Sequence, residues 1–265
     1  MNKVTSKDGT TIAYDQAGKG QPVILVDGAL CYRSFGPLPE LAKLLAPDLS
    51  VITYDRRGRG ESSNSKPYAV EREVEDINAL IQAAGGSAFI FGTSSGGALA
   101  LEAALKLGSR IGKLAIYEAP FNSDETARRD YREYRKQLAE SLAANRRGDA
   151  VVLFMKLVGT PAEQIEGMRH APVWPMFEAV APTLAYDAAT LGDDRSVPSD
   201  RAAGIRVPTL VMDGGANQAT MPFMGETARA LAEAIPPAQR RTLEGQRHDV
   251  AMDVLAPVLR EFFKA

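Results

Sequence analysis

The residues whose types could carry nucleophilic chemistry are few: a serine set between glycines, Ser94, two histidines, His170 and His248, and a single cysteine, Cys31. Ser94 stands in Phe89-Ile90-Phe91-Gly92-Thr93-Ser94-Ser95-Gly96-Gly97. Residues 88–91 are a short apolar run with aromatics, the pattern of a buried strand. From Ala98 the chain reads ALALEAALKLG, rich in Ala and Leu and closed by Gly108, which predicts a helix with a C-terminal stop. Between them lies G-x-S-x-G, with glycines two before and two after the serine. A turn that sharp leaves no room for side chains on its flanks. The serine hydroxyl would be held out above the sheet edge, and the helix N-terminus beneath it would offer unpaired N–H groups to an anion. The plainer alternative is a Gly/Ser turn in an α/β protein. An acyl-transfer serine also needs a base, a group to orient that base, and donors for a developing oxyanion.

The elements that must position these groups follow from the hydrophobic pattern. Residues 3–6 and 10–15 read as a hairpin around Asp8-Gly9. PVILV at 22–26 is a continuous apolar strand of the kind buried in a parallel sheet, ending in Asp27-Gly28-Ala29-Leu30. A helix at 38–45 and a strand at 50–54 precede the polar loop Asp55-Arg56-Arg57-Gly58-Arg59-Gly60-Glu61-Ser62. A helix at 69–84 stops at Gly85-Gly86. After the Ser94 unit comes a strand at 113–117, finishing in Glu118-Ala119-Pro120. The alternation predicts right-handed crossovers and a mostly parallel sheet covered by helices on both faces. From about Asn122 to Asp200 it stops: the stretch is helical, charged at first and then apolar and proline-broken. It reads as an insertion, with 1–120 and 201–265 as one core domain and 121–200 as a helical cap. Alternation resumes with a strand at 209–213, a helix at 222–234, a strand at 241–243 and a last helix at 254–263.

Composition excludes several classes. At 265 residues the chain can bury one sizeable core. A hydrophobic content of 45%, charged content of 24% and net charge of −2 give no basic excess for nucleic acid or an acidic membrane surface. One cysteine excludes an internal disulfide and a multi-cysteine metal site. The first ten residues turn polar at once and no stretch approaches a membrane span, so a reducing cytoplasm is the expected address. No Gly-rich phosphate loop and no paired metal-ligand spacing occurs, so neither a cofactor nor a metal is expected.

Taken in order, these motifs resemble the α/β-hydrolase superfamily, in its cap-bearing serine-hydrolase branch. The resemblance rests on a small Gly-containing loop after the third strand and on D-x-R-G-x-G-x-S at 55–62. The GTSSG turn, a cap, V-P-T-L-V at 207–211 and a lone late histidine complete it. It implies an α/β fold: an eight-stranded, mostly parallel sheet with helices on both faces and a helical cap after strand six. It also implies Ser94 as nucleophile and His248 as general base, leaving His170 as a packing or surface residue of the cap. Members most often carry the triad Asp about three residues after the glycine that ends strand seven; here that residue is Asn217. A second location is the end of strand six, where Glu118 stands. Asp213 is the rival acid, and a chain with no functional acid is a third alternative. The oxyanion donors are expected to be the backbone amides of Ala29 and Ser95. The family usually has His-Gly where this chain has Asp27-Gly28; Asp27 either replaces the structural bonds of that histidine or places a carboxylate near the site. Asp55, Arg57 and Gly58 are read as a loop that braces the turn, and Cys31 as a wall residue.

The reading is a serine hydrolase acting through Ser94, His248 and Glu118 on a small, mostly apolar ester, lactone or related carbonyl compound. Phe154, Met155, Met168, Trp174, Met176, Phe177 and Tyr186 of the cap, with Leu30, Tyr32 and Phe35, are the candidate pocket walls. Two alternatives stay open: a C–C bond hydrolase or perhydrolase using the same triad, and a low-turnover ligand-binding member of the fold. The expected partner is a small-molecule substrate, with neither nucleic acid nor membrane, and with a homodimer left open.

Overall fold

The computed structural model describes residues 1–265, apart from the side chains of Gln218 and Ala219. The strands are β1 (Asn2–Thr5), β2 (Thr11–Ala17), β3 (Pro22–Val26), β4 (Ser50–Tyr54), β5 (Ala88–Thr93), β6 (Ile111–Tyr117), β7 (Thr209–Gly214) and β8 (Ala238–Leu243). They form one eight-stranded sheet in the order β1-β2-β4-β3-β5-β6-β7-β8. The β1–β2 and β2–β4 pairs are antiparallel and every later pair is parallel. This is the mostly parallel sheet with helices on both faces that the alternation predicts.

Period-two alternation divides the core. Ile24, Val26, Ile52, Ile90, Ile116 and Val211 belong to one buried cluster, together with residues of α2 (Val70–Ala83) and α3 (Ser95–Leu107). Val23, Leu25, Val51, Phe91, Ala115, Leu210 and Met212 face the other way, onto α1 (Leu38–Leu45) and the C-terminal helix Met252–Lys264. Successive side chains of a strand point to opposite faces, so each buried strand is apolar on both.

Between β6 and β7 the chain runs through α4 (Glu125–Ala143), α5 (Arg147–Leu157), α6 (Ala162–Arg169), α7 (Trp174–Val180), α8 (Leu184–Thr190) and α9 (Ser199–Ala202). Helix α4 starts at Asp124, whose side chain accepts from the Ala127 amide at 2.8 Å, an ordinary N-cap bond. Tyr131, Leu138, Val151, Trp174 and Leu184 of this segment join the same buried cluster as α2 and α3, so its core is continuous with that of the sheet. After β7 come α10 (Phe223–Ala234), β8 and α11 (Met252–Lys264). Helix α11 begins two residues before the apolar pattern predicts and carries Pro257 inside it. The last strand extends back to Ala238 because Arg240 and Arg241, polar in sequence, hold ladder positions opposite Val211 and Met212. No described helix is long and apolar enough to cross a membrane.

Candidate active site

Strands β5, β6, β7 and β8 are consecutive neighbours in the sheet, and the chain leaves each at the same edge. Ser94 follows β5, Glu118 follows β6, Asn217 follows β7 and His248 follows β8. Residues 130 positions apart in sequence therefore meet across a few strand spacings. The Ser94 amide donates to Tyr117 O at 3.0 Å and the Glu118 amide to Met212 O at 3.0 Å, so each backbone is tied to the next strand.

Ser94 has φ 55° and ψ −133°, a conformation that L-residues rarely adopt. The surrounding glycines show why the turn tolerates it. A Cβ on Gly92 would lie 2.4 Å from Gly96 O, and one on Gly96 would lie 2.3 Å from Val26 O and 2.6 Å from Asp27 O. Helix α3 is therefore seated directly on the end of β3, a contact no other residue permits. Gly28 lies on the opposite flank: a Cβ there would be 3.1 Å from Ser94 Cβ and 3.5 Å from its Oγ. The loop at 27–31 thus reaches the serine, and its Leu30 sits at φ 62°. Neither the Ala29 nor the Ser95 amide has a hydrogen-bond acceptor among the described residues. For Ser95 this follows from its place in the first turn of α3.

Glu118 is buried, at 2% exposure, and also has a positive φ, 46°. Its Oε1 accepts from the Gly214 amide and from Asn217 Nδ2, both at 2.7 Å. Its Oε2 lies 2.8 Å from Asn217 Nδ2 and 2.8 Å from His248 Nδ1. An ionised carboxylate only accepts hydrogen bonds, so the proton between the last pair belongs to Nδ1. The imidazole then has Nε2 as its free acceptor. The loop bearing His248 is held from beneath: Tyr117 Oη donates to Arg247 O. Asn217, which occupies the usual acid position, instead serves as the clamp on Glu118. Sequence spacing could not reveal that role, because it depends on the β6–β7 register.

Asp213 is elsewhere. Both its oxygens face Arg240, 2.9 Å to Nε and 2.9 Å to Nη2, and Thr242 Oγ1 lies 3.2 Å away. It is a strand-to-strand ion pair between β7 and β8. His170 is exposed on α6's C-terminal end, 3.3 Å from Glu166 Oε1, and is not brought to the sheet edge.

Asp27 is 5% exposed, and its Oδ1 accepts from the Gly28 amide at 2.9 Å. Burial pushes its carboxyl up to about 7, against the pull of the Gly28 amide, Arg59 and Arg56. Its other oxygen and the Cys31 sulfur border Gly36, whose Cβ would lie 3.1 Å from each. Burial raises the Cys31 thiol strongly as well, with Asp27 adding to it. This environment keeps the thiol protonated and unreactive. Asp27 therefore organises its own loop.

The polar loop at 55–62 braces the site through residues the sequence reading did not select. Arg57 turns away to Asp76 and Asp8, and Asp55 accepts from the Arg33 and Glu61 amides. Arg56 and Arg59, each 1% exposed, reach instead to Asp187 of α8. Burial works to raise the Asp187 carboxyl, but the two guanidiniums outweigh it and hold the group below the ordinary carboxylate range.

Of the candidate pocket walls, Tyr186 is committed elsewhere: it stacks on Tyr68 at 3.8 Å and accepts from Asn64 Nδ2. Tyr32, Phe35, Phe177 and Trp174 form a continuous aromatic run from the 27–31 loop to α7. On the α1–α11 side a cavity of about 550 Å³ borders His248, lined by Leu38, Phe91, Thr93, Val250 and Met252. Among the described residues no group of three or more His, Cys, Asp or Glu side chains is placed to hold a metal ion.

Comparison with known proteins agrees with this architecture. The model of the alpha/beta hydrolase family matches residues 23–259. A solved alpha/beta hydrolase from Sphaerobacter thermophilus DSM 20745 is 50% identical, covers 99% of this chain and 100% of its own, and superposes with a TM-score of 0.87. A relative from Azorhizobium caulinodans, named as the carbamate hydrolase RutD, is 28% identical over 89% of this chain and 87% of its own length. The enol-lactonase of Burkholderia xenovorans LB400, 22% identical with full coverage of both chains and a TM-score of 0.71, shares the fold. A family match across most of the chain, on a sheet of this order, leaves one conclusion: the protein is a hydrolase and belongs to the α/β hydrolase family.

Proposed function

We propose that the protein is a serine hydrolase that opens a small, mostly apolar ester, lactone or related carbonyl compound through an acyl-enzyme. The observation that carries this reading is the 2.8 Å contact between Glu118 Oε2 and His248 Nδ1, made at the sheet edge that also bears Ser94. Glu118 holds the imidazole in the tautomer whose Nε2 accepts a proton. His248 takes the Ser94 proton as Oγ attacks the carbonyl carbon, and Glu118 stabilises the imidazolium that forms. The Ala29 and Ser95 amides receive the oxyanion. His248 returns the proton to the departing alcohol or ring oxygen. Water, admitted by the cavity beside His248, is then deprotonated by the same nitrogen and releases the acid. Residues 121–200 act as the cap, and the aromatic run from Tyr32 to Trp174 supplies apolar contacts for the acyl or ring portion. The name of the Azorhizobium relative fits a carbonyl substrate of this class.

The test is a panel of nitrophenyl esters of rising chain length beside a set of lactones, with turnover per active site measured for wild type and Ser94→Ala. Turnover of at least one series, abolished in Ser94→Ala, is the expected result. Equal turnover by Ser94→Ala would remove the nucleophile, and no turnover of any member would favour the ligand-binding alternative.

A further inference from the structure

The Gly28–Ala29 peptide is planar and trans, so its C=O and N–H point in opposite directions. Arg59 Nη1 donates to Gly28 O at 2.5 Å and to Cys31 O at 3.0 Å, and Arg56 Nη1 donates to Asp27 O at 3.3 Å. Three carbonyls of the loop are thus drawn to one side by buried guanidiniums. Pulling Gly28 O that way turns the Ala29 N–H the other way, on the stretch of loop where Gly28 flanks Ser94. Both guanidiniums reach one carboxylate: Asp187 Oδ1 accepts from Arg56 Nη1 at 2.6 Å and Oδ2 from Arg59 Nη2 at 2.7 Å, while Arg56 Nε and Nη2 are held by Glu73 at 2.7 and 2.8 Å. The carboxylate accepts a third bond, at Oδ1 from Ser95 Oγ at 2.8 Å. Arg59 is further fixed by Thr183 Oγ1 at 3.0 Å, four residues before Asp187. The two peptide units that carry the free amides are therefore tied, one through Arg59 and one through the Ser95 hydroxyl, to a single side chain of α8.

We propose that Asp187 is a positioning residue for the oxyanion hole: from the helical segment between β6 and β7 it orients the Ala29 and Ser95 amides through Arg59 and Ser95. The proposal rests on the serine-hydrolase reading above. It makes α8 a fixed post of the active site, so this part of the segment cannot lift away during turnover without dismantling the oxyanion donors.

The experiment compares Asp187→Asn, Arg59→Lys and Ser95→Ala with wild type and Ser94→Ala. The readouts are kcat per titrated active site, KM, and the affinity for phenylboronic acid as a tetrahedral mimic. Loss of one oxyanion donor outright lowers kcat by about 10² to 10³. A donor turned off line is expected to lower it tenfold to a hundredfold in Asp187→Asn, with KM within about threefold. Arg59→Lys keeps the charge but cannot hold Gly28 O and Asp187 together, so it should not rescue. Ser95→Ala keeps its amide and loses only the hydroxyl tie, so a smaller loss is expected. Boronate affinity should fall in step with kcat in each. A merely structural role would reduce the number of titratable sites and leave kcat per site and boronate affinity unchanged. That result, in any folded variant, overturns the proposal; where Asp187→Asn yields no folded protein, the other two decide. Ser94→Ala separates the two claims: if it is dead while these variants are normal, only the positioning role fails.

Discussion

Glu118→Gln is the most informative single change, because the substitution keeps shape and removes only the second acceptor. Every partner of the carboxylate is an N–H donor: Gly214 N and Asn217 Nδ2 on Oε1, Asn217 Nδ2 and His248 Nδ1 on Oε2. A glutamine has one acceptor oxygen and one donor nitrogen. With its oxygen kept on Gly214, the new NH₂ faces His248 Nδ1 at the former 2.8 Å. The imidazole must then accept at Nδ1, which moves its proton to Nε2 and leaves nothing to take the proton of Ser94. The opposite flip sets an NH₂ against the Gly214 amide at 2.7 Å, two donors in contact. The first arrangement loses the base; the second keeps the tautomer only at the cost of that buried donor–donor contact, and neither leaves a negative charge to stabilise the imidazolium. The wrong-tautomer penalty in a serine triad is about 10⁴ in kcat, or about 5.5 kcal/mol of transition-state stabilisation. The assay is steady-state hydrolysis of a nitrophenyl ester, with active-site titration to count folded enzyme. Asp213→Asn is the paired control: its carboxylate serves Arg240 and Thr242, so kcat should stay within about threefold while the β7–β8 tie weakens by about 1 to 3 kcal/mol. The reasoning is refuted if Glu118→Gln keeps turnover within tenfold of wild type, and more sharply if Asp213→Asn collapses it.

Two further outcomes follow from packing and burial. Gly96→Ala places a carbon 2.3 Å from Val26 O, which neither backbone can avoid, so a loss of about 3 kcal/mol or more in urea-melt stability is expected. Gly167→Ala, inside α6 and with nothing within 4 Å of the added carbon, should gain up to about 1 kcal/mol; equal melts for the two would contradict the seating of α3 on β3. For Asp27, the folded state binds its proton up to about pH 7 while the unfolded chain releases it near pH 4, so stability falls as pH rises between them. Between pH 5 and pH 8.5 this group should withdraw about 3 kcal/mol. Asp27→Asn should remove that part of the slope, and an unchanged slope in the variant would show that the carboxyl titrates normally.

What the sequence made legible is what local chemistry determines. The strand, the Ser94 turn and α3 could be read because glycine spacing and apolar period are local properties. Glu118 could be proposed because it ends the apolar strand at which the family resemblance implies an alternative location for the acid. What could not be read depends on register and distance. Asn217 sits where an acid is expected, and its function as the clamp on Glu118 follows from which strands neighbour which. Arg56 and Arg59 lie in a run that reads as an exposed polar loop, yet both are buried because Glu73, 17 residues from Arg56, and Asp187, 131 and 128 residues away, supply the carboxylates that pair with them. Asp187 itself stands in an apolar helix where a carboxylate gives no periodic signal. Tyr186 looks like a pocket aromatic by composition, and its stacking on Tyr68 is a tertiary contact that no spacing encodes.

The central claim, that Ser94 is a nucleophile activated by His248 under the hold of Glu118, is tested most directly by covalent labelling. Wild-type protein, Ser94→Ala, His248→Ala and Glu118→Gln are treated with a fluorophosphonate and the adduct is located by peptide mass. The expected result is one adduct per chain on the peptide bearing Ser94, absent in Ser94→Ala and slowed at least a hundredfold in the other two variants. Labelling of Ser94 at the wild-type rate without the imidazole, or no labelling of wild type at all, would contradict it.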